Sequence, residues 1–483
     1  MSDVTLLGVL LAVVYALIII GLSIRVIMRR LPPAVSLAWL ILIFLLPLVG
    51  GFVYLLIGER RIGRRRAERA RMLLARYQNE LRSLHASRVE SVNLGPQAQS
   101  IRRLAEATLG TPAMAGNKLQ LQEGALSTLQ SIIKDVDRAE HICHMEFYIW
   151  DEGGIADEVA DALIRAAKRG VTCRVLVDAV GSSRFLKCRS AGRLRENGVA
   201  LVAALPIGLR RLAFARPDLR LHRKIVVIDD LCAYTGSLNL VDPRYFKKRA
   251  GVGEWVDAMV RVEGPAVQAL EAQFSWDWEV ETDEATGALA NFHLARLLPV
   301  GTTPVQVVPS GPGITRDAIH QLLLTSIYAA RRELIVTTPY FIPDNAVLMA
   351  LKSAARRGVE TTMIVPKNLD SRLTQYASQS YFDSLLVAGV NICRFEDGLL
   401  HTKSVTVDGK FSIFGTVNLD VRSFWLDFEV TLLIYDAGFT TELRALQMRY
   451  IQGSNAIDLE TWLARSARVR FVENASQLFT PLL

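Results

Sequence analysis

Two short stretches of the chain each place a histidine and a lysine two residues apart at the start of an apolar run. They are LHRKIVVIDD at residues 221–230 and LHTKSVTVDG at residues 400–409. Residues i and i+2 of a β-strand face the same side, so His222 points with Lys224 and His401 points with Lys403. An imidazole beside an ammonium group suits the transfer of an anionic group, with histidine as nucleophile or proton carrier.

The two stretches continue with the same residue types at the same spacing. In both copies a glycine follows the histidine by 14 residues and an asparagine follows it by 17. The further members are Asp229, Gly236, Ser237 and Asn239 in the first copy, and Asp408, Gly415, Thr416 and Asn418 in the second. A single His-x-Lys is a weak signal, and a lone histidine is usually structural, but the duplicated pattern reverses that reading. Each aspartate belongs to the catalytic motif, yet its odd offset from the histidine turns it to the opposite face of the strand.

A pocket shared by the two copies would collect two histidines, two lysines and two asparagines. The lysines and the amides can hold the nonbridging oxygens of a phosphodiester and stabilise a five-coordinate transition state. One imidazole can attack phosphorus, while the other protonates the leaving alkoxide and then deprotonates the incoming hydroxyl. This chemistry needs no metal and no other cofactor, because the lysines supply the positive charge.

A nucleophilic histidine needs an acceptor that fixes its second ring nitrogen. Two carboxylates downstream of the motifs are candidates. Glu254 follows His222 by 32 residues in GVGEWVD, and Glu429 follows His401 by 28 residues in RSFWLDFEV. The alternative for each is an ordinary salt bridge.

The elements around the motifs are predicted to alternate between strands and helices. EHICHMEFYIWD (140–151) predicts a strand, the following segment predicts a helix that ends at Gly170, and VTCRVLVD predicts the next strand. ADALIRAAKRGVTCRVLVD (160–178) resembles LMALKSAARRGVETTMIVP (348–366), so the chain contains an internal repeat. The fold class is α/β, with each copy forming one domain covered by helices.

Two long uncharged segments precede the repeat. Leu6 to Ile24 has 19 residues and Val35 to Ile57 has 23, so each is long enough to cross a membrane as a transmembrane helix. Pro47 and the pair Gly50 and Gly51 would let the second segment kink or re-enter. A cleaved signal peptide is the alternative for the first segment, but no basic region precedes it and a second segment follows.

Arginines follow both hydrophobic segments. No lysine or arginine precedes the first segment, and the connection holds Arg25, Arg29 and Arg30. Seven arginines follow the second segment: Arg60, Arg61, Arg64, Arg65, Arg66, Arg69 and Arg71. This bias favours a cytoplasmic C-terminal part, and the run either enforces topology or attracts anionic lipid headgroups. The net charge of +8 would also suit nucleic acid, but no aromatic and basic binding stretch accompanies it.

The predicted organisation is a membrane anchor at 1–59, an Arg-rich juxtamembrane helical linker at 60–109, and two catalytic domains at 110–295 and 296–483. Five scattered cysteines predict neither a disulfide framework nor a metal site.

The paired H-x-K-x4-D motifs resemble the phospholipase D superfamily. Two hydrophobic segments followed by two motif halves look more narrowly like the bacterial cardiolipin synthases. The resemblance covers essentially the whole chain, including LPLVGGFVYLLIGERR, EFYIWD, VVPSGPG and FGTVNLDVRSFWLDFEV. It implies two α/β/α halves related by a pseudo-twofold axis in an enzyme of the bacterial inner membrane. It also implies condensation of two phosphatidylglycerol molecules to cardiolipin and glycerol, with a phosphohistidine at His222 and with His401 as the acid.

Other functions stay open on the sequence alone. A membrane phospholipase D that hydrolyses phospholipid to phosphatidic acid would use the same motifs, since water or an alcohol can resolve the same intermediate. A phosphodiesterase acting on another substrate, including nucleic acid, is the second alternative, and the hydrophobic segments argue against it. A scaffold without activity would not need two intact motifs.

Overall fold

The computed structural model describes residues 3–29, 31, 33–59, 61–63, 66–73, 76, 94–208, 216–287, 299–313 and 317–480. Arg30, Arg60, Arg64 and Arg65 of the basic segments, and the predicted domain boundary between 295 and 296, lie outside these residues. The chain divides into two compact units. One comprises Met1–Glu68 with Ile207–Leu219, and the other comprises Arg69–Pro206 with Arg220–Leu483.

The first unit is built from apolar helices. They are α1 (Asp3–Met28), α2 (Pro33–Leu45) and α3 (Pro47–Val53), which continues as a π-helical turn over Tyr54–Gly58. Among the described residues, only Leu7–Met28 forms a helix long and apolar enough to cross a membrane. The predicted second transmembrane helix is therefore not confirmed. Leu46 (φ −136°, ψ 69°) breaks that segment, because the residue before a proline is pushed out of helical geometry.

The second unit contains the strands. Those of its first half are β1 (Met114–Glu123), β2 (Ile142–Phe147), β3 (Thr172–Asp178), β4 (Ala200–Ala204), β5 (Arg220–Leu221), β6 (Ile225–Ile228), β7 (Cys232–Gly236), β8 (Trp255–Val256) and β9 (Ala258–Glu263). Those of its second half are β10 (Thr303–Ser310), β11 (Glu333–Thr337), β12 (Phe341–Ile342), β13 (Glu360–Pro366), β14 (Asn391–Phe395), β15 (Leu399–Leu400), β16 (Ser404–Val407), β17 (Phe411–Gly415), β18 (Leu419–Asp420), β19 (Asp427–Ile434) and β20 (Ser454–Ala456).

Helices alternate with these strands. The first half contains α4 (Pro96–Leu109), α5 (Ala125–Arg138), α6 (Ile155–Lys168), α7 (Arg189–Glu196) and α8 (Ala266–Thr282). The second half contains α9 (Ala318–Ala329), α10 (Asn345–Arg356), α11 (Arg372–Gln379), α12 (Phe382–Val387), α13 (Val421–Trp425), α14 (Ala437–Gln452), α15 (Leu459–Leu463) and α16 (Ala467–Gln477). Short 3-10 turns lie at Phe185–Lys187 and Lys248–Ala250.

The two halves share one mixed sheet. Its order is β20-β14-β13-β11-β16-β17-β19-β10-β1-β9-β7-β6-β2-β3-β4. The order from β1 to β4 in one half repeats from β10 to β14 in the other, and β1 pairs antiparallel with β10 at the centre. This arrangement matches the predicted internal repeat and its α/β class, and it relates the halves by an approximate twofold operation.

Helices cover both faces of the sheet. Parallel pairing of β2, β3 and β4 uses α6 and α7 as crossovers, as parallel strands require. One apolar cluster packs α5, α6 and α7 on the first half, and another packs α9, α10 and α12 on the second. A third cluster joins the halves through residues of α8 and α14 against strands of both. The motif strands β6, β7, β16 and β17 are buried along their whole length and are therefore rigid supports for the motif residues.

Candidate functional site

Each histidine motif is attached to a strand of the opposite half. β5, which ends just before His222, pairs in parallel with β19, and the His222 N–H donates to the Phe428 carbonyl at 2.9 Å. Symmetrically, β15 pairs with β8, and the His401 N–H donates to the Val256 carbonyl at 2.8 Å. Neither motif is therefore positioned by its own half alone.

The imidazole of His222 is oriented by Glu429. Its Nδ1 lies 2.9 and 2.8 Å from the two carboxylate oxygens, and Glu429 is fully buried. The ring of Tyr148 packs against the imidazole with the ring centroids 5.0 Å apart. Because Nδ1 is engaged, Nε2 is the nitrogen left to react.

The imidazole of His401 is oriented by Asp257. Its Nδ1 lies 2.8 Å from Asp257 Oδ1, and the Trp255 ring packs on it at 4.5 Å. Glu254, predicted to orient His222, has its side chain on the surface, and Glu429, predicted to orient His401, contacts His222 instead. In both pairs the carboxylate comes from the half that does not carry the histidine.

The two lysines are buried behind the histidines. Lys224 Nζ donates to the carbonyl of His222 at 2.6 Å, and Lys403 Nζ donates to the carbonyl of His401 at 2.7 Å. These equivalent bonds hold each ammonium group against its own histidine turn. The first motif thus reproduces the geometry of the second.

Ser237 and Thr416 support the orienting carboxylates. Ser237 Oγ donates to Asp257 Oδ1 at 2.6 Å, and Thr416 Oγ1 accepts from the Val430 N–H at 2.9 Å, which fixes the backbone beside Glu429. The preceding Gly415 is required by close approach, since a Cβ there would lie 2.4 Å from the Val430 carbonyl oxygen. The Gly-Ser/Thr pair therefore lets the neighbouring strand carry its carboxylate next to the histidine.

The motif asparagines present amide atoms without a protein partner among the described residues. Asn239 accepts from the Ile149 N–H at 3.1 Å and keeps its buried Nδ2 unpaired. The buried Oδ1 of Asn418 is likewise unpaired. Unpaired buried amides are uncommon in folded proteins and suit a polar ligand.

The motif aspartates bond to backbone N–H groups and do not take part in the site. Asp229 accepts from the N–H groups of Glu140, His141 and Ile142 at 2.7, 2.8 and 2.8 Å. Asp408 accepts in the same way from the N–H groups of residues 331–333. Although they belong to the catalytic motif, each aspartate ties the end of its motif strand to the start of a neighbouring strand, as the odd offset implied.

Burial and mutual repulsion set the charges of the site. Burial lowers the pKa of Lys224 to about 8, against the attraction of Glu429. Burial and the repulsion of Lys224 hold the pKa of Lys403 well below its usual value. Burial and the two lysines hold the pKa of His222 well below its usual value. Burial raises the pKa of Glu429 to about 7. His222 is therefore neutral near pH 7, which is the form of imidazole that attacks an electrophile.

The two orienting carboxylates differ in their charge state. The pKa of Asp257 is lowered: burial acts to raise it, but His401, Lys403 and Ser237 outweigh that effect. The pKa of His401 falls to about 3 through burial and Lys403, although Asp257 opposes this shift. Asp257 is thus an ionised acceptor that favours a protonated His401 whenever an anion offsets the lysines.

Sequence reasoning missed Asp257 and Arg223. Asp257 is equivalent to Glu429, but it follows Asn239 by 18 residues, whereas Glu429 follows Asn418 by 11, so spacing alone did not find it. An alignment of the two halves on the strands β9 and β19 would have found it. Arg223 is fully buried, donates to the Glu429 carbonyl at 2.9 Å and pairs with Asp277. It fixes the backbone that carries the orienting glutamate.

Comparison with known proteins places the chain in a family. A family profile described as "Cardiolipin synthase, PLD-like domain" matches residues 132–278 and 323–449, and one described as "Phospholipase D-nuclease N-terminal" matches residues 12–59. The chain is 45% identical to cardiolipin synthase A of Erwinia tasmaniensis, over 99% of both chains. It is 45% identical to cardiolipin synthase A of Cronobacter sakazakii, over 97% of both.

A solved structure supports the fold. Phosphatidylserine synthase of Haemophilus influenzae superposes with a TM-score of 0.57 at 15% identity, covering 80% of this chain and all of that one. At this identity the likeness concerns architecture alone. The sequence matches carry the assignment: this chain belongs to the cardiolipin synthases built on phospholipase-D-like domains.

Proposed function

We propose that the protein is a cardiolipin synthase that condenses two phosphatidylglycerol molecules into cardiolipin and free glycerol. The observation that carries this proposal is the crossed pair of oriented histidines, His222 on Glu429 and His401 on Asp257, each with a buried lysine beside it. Relatives named cardiolipin synthase A, similar over nearly the full length, support the choice of reaction.

The first step forms a phosphohistidine. Nε2 of His222 attacks the phosphorus of the donor lipid, the bond from phosphorus to the glycerol headgroup breaks, and His401 gives its proton to the leaving alkoxide. In the second step the glycerol hydroxyl of the acceptor lipid passes its proton to His401 and attacks the same phosphorus. The bond to His222 then breaks, and cardiolipin leaves.

The carboxylates support this division of labour. Asp257 stays ionised, so it stabilises a protonated His401 and suits the residue that carries the proton. Burial raises the pKa of Glu429 to about 7, which makes it a weaker stabiliser of positive charge on His222. A neutral His222 is the better nucleophile, in agreement with the order implied by the family resemblance.

The lysines and asparagines hold the phosphate. Lys224 and Lys403 flank the histidines, and a phosphodiester between them would offset their repulsion and raise the pKa of both. The unpaired Nδ2 of Asn239 can donate to a nonbridging oxygen, whereas the unpaired Oδ1 of Asn418 is an acceptor and can bond a lipid hydroxyl. Ser237 and Thr416 act at one remove, through the orienting carboxylates.

The same proposal includes the setting of the enzyme. The chain is held in the bacterial inner membrane by its N-terminal segments at 1–59 and a linker at 60–109, with the domains at 110–295 and 296–483 in the cytoplasm. The matched N-terminal profile, the apolar helix Leu7–Met28 and the arginines that follow support this arrangement.

Products from a single lipid test the reaction. The purified protein in mixed micelles of phosphatidylglycerol should release glycerol and cardiolipin in equal amounts, and the His222→Ala variant should release neither. Phosphatidic acid as the main product would move the protein to the hydrolytic alternative. No consumption of phosphatidylglycerol, with turnover of another phosphodiester, would move it to a different substrate.

A further inference from the structure

The hydrophobic segment after α1 folds back on itself. The rings of Trp39 and Tyr54 pack edge to face with their centroids 5.4 Å apart. In one continuous helix these residues would lie roughly 22 Å apart along the axis. Gly50 also approaches α2 so closely that a Cβ would lie 2.5 Å from the Leu42 carbonyl oxygen. α2 and α3 therefore form an antiparallel hairpin that turns at Leu46, called here the apolar hairpin (residues 33–58).

Both ends of the apolar hairpin meet at the same end of α1. Glu59, directly after the hairpin, has a side chain that is 2% exposed. It accepts from Arg25 Nε at 2.5 Å and from Arg29 Nη2 at 2.9 Å. Arg25 lies in the last turn of α1, and Arg29 follows the helix just before the hairpin begins. Tyr54 Oη donates to the same carboxylate at 3.1 Å. The end of the hairpin therefore lies beside the same end of α1 as its beginning.

The apolar hairpin is too short to reach the far side of a bilayer. The 13 residues of α2 rise ~20 Å, whereas the hydrocarbon core is roughly 30 Å thick. α1 supplies a predominantly apolar stretch of 22 residues at Leu7–Met28, enough to cross. Leu22 of α1 packs against Gly51, and Val26, Ile43 and Tyr54 form one small core, so the hairpin lies along the C-terminal half of α1.

The hairpin surface is suited to lipid chains. Its tip exposes large apolar side chains, with Phe44 70%, Leu48 69% and Phe52 63% exposed. The turn still satisfies backbone groups, since the Leu46 N–H donates to the Leu42 carbonyl and the Gly50 N–H donates to the Leu46 carbonyl. Hydrogen-bonded helical backbone is what the hydrocarbon region demands.

We propose that the chain crosses the membrane once, through α1, and that the apolar hairpin re-enters the cytoplasmic leaflet without crossing it. Its partner is the acyl-chain layer of that leaflet, with the arginines at its base among anionic headgroups. This topology places Arg25, Arg29 and Arg30 on the same side as the seven arginines that follow the hairpin. Two complete spans would place those three arginines outside the cytoplasm, against the positive-inside bias.

Cysteine labelling decides between one span and two. Asp3→Cys, Leu31→Cys and Arg76→Cys are made separately in a full-length parent carrying Cys188→Ser. Serine suits Cys188, which is the N-cap of α7, and the other four cysteines are buried. A membrane-impermeant maleimide on sealed spheroplasts should label position 3 and leave positions 31 and 76 unlabelled, with the reverse in inverted vesicles.

Each other labelling result counts against the proposal. Labelling of positions 31 and 76 from opposite faces would overturn the hairpin. Labelling of both from outside would overturn its placement in the cytoplasmic leaflet. Detergent-solubilised protein should label at all three positions, and a thermal unfolding transition that matches the parent's shows that each variant is folded. Because sidedness is read without turnover, failure of the proposed reaction would leave this result standing.

A proximity measurement tests the fold of the hairpin in the membrane. Bimane attached to a Tyr54→Cys variant of the same parent should be quenched by contact with Trp39. The matched variant that also carries Trp39→Phe should lose this quenching, and the other tryptophans are unchanged between the two. Equal fluorescence of the two labelled variants in lipid would show a straight helix and would contradict the proposal.

Discussion

At the scale of single residues, each half of the protein orients the histidine of the other half. Each histidine takes its backbone partner and its carboxylate from the half that does not contain it. The backbone of Glu429 is held by Arg223, and that of the next residue, Val430, is held by Thr416. Precise orientation of the reacting imidazoles therefore depends on groups distant in the sequence.

Removal of either histidine should abolish turnover. His222→Ala removes the nucleophile and His401→Ala removes the proton carrier, so each variant should lose nearly all cardiolipin formation. Lys224→Ala and Lys403→Ala should each cost on the order of 10²–10³-fold in kcat, the usual loss for a group that stabilises transition-state charge. Retention of more than about a tenth of the activity by either histidine variant would contradict a single shared site.

The orienting carboxylates offer a matched comparison. Glu429→Gln keeps the shape of the side chain but cannot hold His222 as a charged acceptor, and kcat should fall by on the order of 10²-fold. Glu254→Gln alters the carboxylate that lies on the surface and should leave kcat unchanged. Glycerol release by the two purified variants measures the difference. Equal kcat values would show that Glu429 does not position His222.

The alkaline limb of the pH profile should report Lys224. Burial lowers its pKa to about 8, so the ammonium group is present below that pH and lost as the pH rises through it. kcat/KM should therefore decline above pH 8, well before an ordinary lysine loses its proton. Lys224→Arg, to the extent that it turns over, should lack this decline, because a guanidinium keeps its charge. A flat profile of the unaltered enzyme to pH 10 would contradict the assignment.

At the scale of elements, the aspartate of each motif has a structural role. Asp229 and Asp408 both adopt positive φ, 52° and 53°, at the ends of β6 and β16, and each gathers three backbone N–H groups of a neighbouring strand. These bonds fix where β6 lies beside β2 and β16 beside β11. The strand start that carries His and Lys is placed by that register.

Asp229→Ala should therefore weaken folding more than chemistry. Three N–H groups would lose their acceptor, and the free energy of unfolding should fall by about 1–3 kcal/mol or more. Asp229→Asn keeps an acceptor and tolerates positive φ, so it should lose less. Thermal unfolding in detergent measures both, with the specific activity of the folded fraction as the control. A fully stable but inactive Asp229→Ala protein would restore a direct catalytic role.

The sequence predicted the repeated elements better than the contacts between them. Two copies with equal spacing located His222, Lys224, His401 and Lys403, because local periodicity and identity carry that information. The exchange of carboxylates was not predictable, since it depends on β5 and β15 pairing across halves, far apart in the chain. The predicted crossing of the second hydrophobic segment is not confirmed, and the break at Leu46 agrees with the kink that Pro47 predicted.

At the scale of the whole molecule, the two catalytic halves work as one body. β1 and β10 join them edge to edge in a single sheet, and α8 and α14 share one apolar cluster. A rigid joint of this kind keeps both histidines on one phosphorus through two successive transfers. The same site must release glycerol and accept a second lipid without letting water resolve the intermediate.

This requirement makes the reaction reversible in a way that hydrolysis is not. The proposed transfer exchanges one phosphodiester for another, so its free-energy change is close to zero and mass action sets its direction. The His401 that protonates leaving glycerol also deprotonates the entering hydroxyl, so both directions depend on it. Purified enzyme given cardiolipin and increasing labelled glycerol should form labelled phosphatidylglycerol, and the His401→Ala variant should form none. A hydrolase runs in one direction only, because water is present at about 55 M in dilute solution. Unlabelled phosphatidic acid as the dominant product would therefore show that the site excludes water too poorly to be a synthase.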